Sequence, residues 1–129
     1  VILIINLPLK TPKWFLLFYA FLLGFLIDIF SGSLGFHSTA TILIAFFKPF
    51  ISKITIPHNI LADTDEITLK KIGNKAFITF SLFLILIHNS CLFIIEHLSF
   101  DLAIAGKILA SSIVTLIIVL IAQLFHQKK

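Results

Sequence analysis

WFLLFYAFLLGFLI, residues 14–27, is an unbroken uncharged run, and a helix through it can continue to about Phe30. Twelve of residues 14–30 are Leu, Ile or Phe. At about −0.3 to −0.6 kcal/mol each, they contribute roughly −4 to −7 kcal/mol towards insertion into a bilayer. Asp28 would cost about 2.5–3.5 kcal/mol at the bilayer centre, and less near the end of a span. Insertion therefore prevails. A helix over 14–30 covers roughly 25 Å at about 1.5 Å per residue, slightly short of a ~30 Å hydrocarbon core, so flanking residues must help.

Composition extends this reading to the whole 129-residue chain. It is 59% apolar and 12% charged, with a mean hydropathy of +1.12. A soluble domain is about 45–50% apolar and about 25% charged. The difference excludes an ordinary water-soluble fold, which lacks the polar side chains to cover it, and equally excludes intrinsic disorder. The class that fits is an all-α, polytopic transmembrane helix bundle. The chain has 15 Phe and no Met, and it begins inside an apolar run. Val1–Leu7 reads as the tail of a longer apolar helix in an N-terminally incomplete chain, rather than as a start left by signal-peptide cleavage. The single cysteine, Cys91, excludes an internal disulfide, and its apolar surroundings make it inert.

Further spans follow. The turn SGSLGFH (31–37) leads into a second span over about 38–56, in which Lys48-Pro49 should kink the helix or end its membrane portion. Residues 57–72, PHNILADTDEITLKKI, form the one polar stretch. A third span covers about 74–98 and a fourth about 102–125, joined by a short Ser-Phe-Asp link. The expected domain is thus single, with four complete spans, a partial one at 1–7, and six in the full chain if one more helix precedes.

Lysines set the orientation, and they carry all of the positive charge behind the net +4. Segment 8–13 holds Lys10 and Lys13; segment 48–75 holds Lys48, Lys53, Lys70, Lys71 and Lys75; the tail holds Lys128 and Lys129. The connections 31–37 and 98–101 hold none. Lysine-rich and lysine-free connections alternate, so the positive-inside rule puts 8–13, 48–75 (with the loop 57–72) and the C-terminus in the cytoplasm, and 31–37 and 98–101 outside. Lys107, a few residues into the fourth span, is the misfit; snorkelling, or pairing with Glu96 or Asp101, would accommodate it. A basic balance of this kind describes topology in lipid, not nucleic-acid binding.

Polar residues inside spans are the candidate site. Asp28 follows Gly24 by one helical turn on the same face, and Gly32, Gly35 and His37 complete the string GFLIDIFSGSLGFH. Two roles are open to Asp28: a site facing a partner or ligand near the outer leaflet, or an acid that caps or pins the turn between two spans. His88, Asn89 and Ser90 lie near the middle of the third span and should point inward, pairing with one another, with Asp28 or with backbone carbonyls. A proton relay or ligand site is the sharper alternative. Ala103, Gly106 and Ala110 share a face of the fourth span and would let a helix of this chain or a partner pack closely. The Phe-rich faces read as lipid contact. The sequence shows no phosphate-binding glycine loop, no HExxH and no CxxC, and no motif surrounds a Ser–His–acid set. No cofactor, metal or catalytic residue is expected.

The string GFLIDIFSGSLGFHSTATILIAFFKPFI (24–51) resembles the rod shape-determining protein MreD family. The matching positions are Gly24, Asp28, Gly32 and Gly35, with Ala40 in the following helix and Lys48-Pro49-Phe50 near its end. Span layout is similar over nearly the whole chain, the motif over about 30 residues. The resemblance implies a non-enzymatic subunit of the bacterial inner membrane, in the cell-elongation complex. It implies association with an MreC-like protein and a link between MreB filaments and the wall-synthesis enzymes, a RodA-like polymerase and its penicillin-binding protein. The family is also similar in layout to the six-helix, vitamin-binding subunits of energy-coupling-factor transporters. That alternative would need an outward pocket lined by Asp28, His37, His88, Asn89 and Glu96.

Overall fold

The computed structural model describes residues 1–98 and 102–126, and every element among them is helical. In chain order these are α1 (Ile2–Asn6), α2 (Lys13–Ser31), α3 (Phe36–Thr55), α4 (His58–Asp63), α5 (Leu69–Ile72), α6 (Asn74–His97) and α7 (Leu102–His126). The long helices fall close to the expected spans. Asp101, the link residues beside it, Lys128 and Lys129 lie outside the described residues.

Among the described residues three helices, α2, α6 and α7, are long and apolar enough to cross a membrane. The expectation of four such spans is met only to that extent. At 20 residues α3 has the length, but His37, Lys48, Lys53 and five Ser or Thr residues dilute its apolarity. Pro49 neither ends α3 nor shortens it: the helix runs on to Thr55. Proline removes one backbone donor and leaves the other rungs of the ladder intact, and Ser52 Oγ donates to the Pro49 carbonyl at 2.9 Å.

The polar residues of α3 do not face lipid, because this helix lies at the centre of the bundle. It packs against α2 on one side and α6 on the other; α6 in turn carries α7, and α1 packs on α3. The core joins Leu16 and Ala20 of α2, Ile44 and Ala45 of α3, Phe77, Phe80, Leu84 and Ile85 of α6, and Val119 of α7. Ile56, Ile67, Leu69 and Ile72 join the same cluster. The polar stretch 57–72 is therefore not a bare loop but two short helices and a connection whose apolar side chains close one end of the bundle. Large apolar side chains such as Phe18, Phe25, Phe46, Ile117 and Ile118 point outward. In water that surface would be a liability; in hydrocarbon it meets its own kind.

Candidate functional site

The α2–α3 hairpin is built around one carboxylate. Asp28 is 4% exposed, in the last turn of α2. Its Oδ1 accepts from Ser33 Oγ at 2.6 Å and from the His37 backbone N–H at 2.9 Å, with His37 Nδ1 at 3.1 Å. Its Oδ2 accepts from both the backbone N–H of Ser38, at 2.9 Å, and the Ser38 hydroxyl, at 2.5 Å. A carboxylate offers about four acceptor sites, so this one is saturated. His37 and Ser38 lie in the first turn of α3, where N–H groups have no partner within the helix. Asp28 supplies that partner from the preceding helix, and its negative charge suits the positive end of the α3 dipole.

The glycines of the string allow this reach-back. Gly32 closes α2 with φ 66° and Gly35 precedes α3 with φ 86°, both in the left-handed region that side chains disfavour. Gly24 acts differently. A Cβ there would overlap Thr41 Oγ1 and Ser38 Cα, and lie 2.7 Å from the His37 carbonyl oxygen. The missing side chain lets α2 and α3 touch. Thr41 Oγ sits 2.8 Å from the Ala20 carbonyl across that seam and 2.7 Å from the His37 carbonyl in its own helix.

Ser33, His37 and Asp28 converge, yet not as a nucleophilic triad. Such a relay needs the acid on one ring nitrogen and the serine on the other. Here both Asp28 Oδ1 and Ser33 Oγ approach the same nitrogen, Nδ1, at 3.1 and 3.2 Å, and the serine donates directly to the carboxylate. The arrangement ties the turn together.

Of the partners expected for His88, Asn89 and Ser90, neither one another nor Asp28 is met, and His88 takes the third kind, a backbone group. Successive helix positions differ by about 100°, so the three diverge onto separate neighbours. His88 faces α3 and hydrogen-bonds the backbone of Ala40. Asn89 faces α7, and its Nδ2 donates to Ser112 Oγ at 3.0 Å, while that hydroxyl donates to the Ile108 carbonyl at 2.6 Å. Ser90 lines a shallow apolar groove of about 390 Å³ with Leu43 and Ile94. His88 Nδ1 and Ser81 Oγ are buried without a hydrogen-bond partner.

Ala103, Gly106 and Ala110 are all exposed, and nothing lies within 4 Å of where a Gly106 Cβ would be. Among the described residues no helix covers this face. Lys107 and Glu96 are exposed as well, and neither takes part in the Lys10–Asp65 ion pair or the His37–Asp28 contact.

One lysine has a role that the sequence reading did not give it. Lys48 is only 2% exposed. Its Nζ donates to the carbonyls of Ile4, at 2.7 Å, and Leu7, at 2.5 Å, the orphan acceptors at the end of α1. Counted among the loop lysines, it is instead an internal clamp. Its signal was periodicity: Thr41, Ile44, Lys48 and Ser52 recur every three to four residues and all are buried. A second tie to α1 comes from Gln123 of α7, whose Nε2 donates to Asn6 Oδ1 at 2.5 Å.

Among the described residues, no group of three or more His, Cys, Asp or Glu is placed to hold a metal ion. Comparison with models of protein families, with curated proteins and with solved structures gives no match to this chain.

Proposed function

We propose that this chain is a non-enzymatic, MreD-like subunit of the cell-elongation complex in the bacterial inner membrane. In this reading α3 is a fourth span, the lysine-rich connections and the C-terminus are cytoplasmic, and the hairpin turn 32–35 faces outward. An MreC-like protein is the immediate partner, and through it the chain helps link MreB filaments to a RodA-like polymerase and its penicillin-binding protein. The observation that carries the reading is the state of Asp28. Four matching positions of the family-like string serve to rigidify one hairpin: Gly24 by close approach, Gly32 and Gly35 by backbone conformation, Asp28 by capping. Rigid helices with small connections and open apolar faces, such as that of Ala103, Gly106 and Ala110, suit a scaffold that binds other membrane helices.

The vitamin-binding alternative has less support. It needs Asp28, His37, His88, Asn89 and Glu96 around one pocket. Asp28 and His37 engage each other, Asn89 engages Ser112, and Glu96 is exposed. Affinity purification of the tagged chain from native membranes separates the two. Recovery of MreC-like and RodA-like proteins supports the scaffold. Recovery of a transporter's energising module, or rods of normal shape after deletion of the gene, overturns it.

A further inference from the structure

A cavity of about 500 Å³ opens between the Lys13 end of α2 and the Pro49–Lys53 end of α3. The two helices touch at Gly24, near their turn. Towards their other ends the seam is lined mainly by large side chains, among them Leu17, Phe46 and Phe50, and it leaves a gap. The wall is apolar and the rim is cationic: Lys13 and Lys53 both line the cavity and both are exposed, and no carboxylate lines it. Lys10, the other lysine of that segment, is the one that pairs with Asp65. Trp14, 71% exposed beside Lys13, has the amphipathic ring favoured at a membrane–water interface.

This combination selects an amphiphile with an anionic head. A free phosphate would make no use of the apolar wall, and a choline headgroup would find no acid to meet. The size lies within the roughly 300–1,000 Å³ of small-ligand sites, and basic pockets between spans at the cytoplasmic side suit acidic lipid heads. We infer that the groove holds one anionic phospholipid, with its phosphate between Lys13 and Lys53 and an acyl chain against Leu17, Phe46 and Phe50. The inference goes beyond the scaffold reading and depends only on placement in a membrane.

Trp14 is the single tryptophan and provides the readout. The full chain is reconstituted in phosphatidylcholine vesicles, and quenching by brominated phosphatidylglycerol is compared with quenching by brominated phosphatidylcholine. Two lysines near a bilayer surface predict a roughly five- to thirty-fold preference for phosphatidylglycerol. Lys13→Gln with Lys53→Gln should bring that preference close to one, with the helical circular dichroism unchanged. Lys71→Gln with Lys75→Gln, which removes two charges from the same end of the bundle, should retain it. Equal affinities in the unaltered chain, or the same loss in both double variants, would overturn the inference.

Discussion

Ser38 presents both of its donors, backbone N–H and hydroxyl, to a single oxygen of Asp28 ten residues earlier. The last turn of α2 and the first turn of α3 are thereby one structural unit, and a buried acid is satisfied by hydroxyl and backbone N–H donors beside the His37 ring, with no lysine in contact.

Removing that acid should loosen the hairpin. Asp28→Ala leaves two N–H groups at a helix start and two hydroxyls without their acceptor in a buried place. Cap loss and lost charge-assisted hydrogen bonds together predict a destabilisation of about 2–4 kcal/mol. Asp28→Asn keeps one acceptor oxygen and should lose roughly half as much. Thermal unfolding in nanodiscs, followed by circular dichroism, gives the order; equal stability of all three proteins would contradict the capping role.

Gly24 and Gly106 should respond oppositely to alanine. At Gly24 the added methyl meets Thr41 and Ser38 in the seam, which predicts about 1–3 kcal/mol of overpacking. At Gly106 it meets nothing in this chain, and helix propensity predicts no loss and a gain of up to about 1 kcal/mol. If a partner helix lies on the Ala103–Ala110 face, Gly106→Leu should weaken its co-purification without lowering the melting temperature of the isolated chain.

Lys48→Met conserves length and removes the donors to Ile4 and Leu7. Hydrogen exchange at Ile4, Ile5 and Leu7 should then quicken by about tenfold or more, while Ala20 and Thr41 in the α2–α3 seam keep their protection. Unchanged protection of α1 would show that burial of Ile4 and Ile5 suffices to hold it.

Topology is open to labelling, since Cys91 is the sole cysteine. In a Cys91→Ala background, Leu34→Cys in the exposed hairpin turn should react with a membrane-impermeant maleimide in intact cells. Glu66→Cys, exposed in the lysine-rich connection, should react only after the membrane is opened. The reverse pattern would invert the orientation assigned from the lysines.

The helices themselves were legible because hydrocarbon imposes a simple condition: backbone groups must bond internally and side chains must be apolar over a bilayer's thickness. That condition marked α2, α6 and α7 almost to the residue, and the string from Gly24 to His37 stood out because lipid makes its polar atoms expensive. What those atoms touch was decided by tertiary structure. Periodicity could place Asp28 beside Gly24, but not pair it with Ser38 across a turn. Three adjacent polar residues in α6 looked like one cluster, and only the neighbours α3 and α7 show His88 and Asn89 going separate ways. Lys48 looked like any cytoplasmic lysine until the packing of α1 brought two orphan carbonyls to it. Sequence records which groups need a partner, and the packing of helices far apart along the chain determines which partner each one meets.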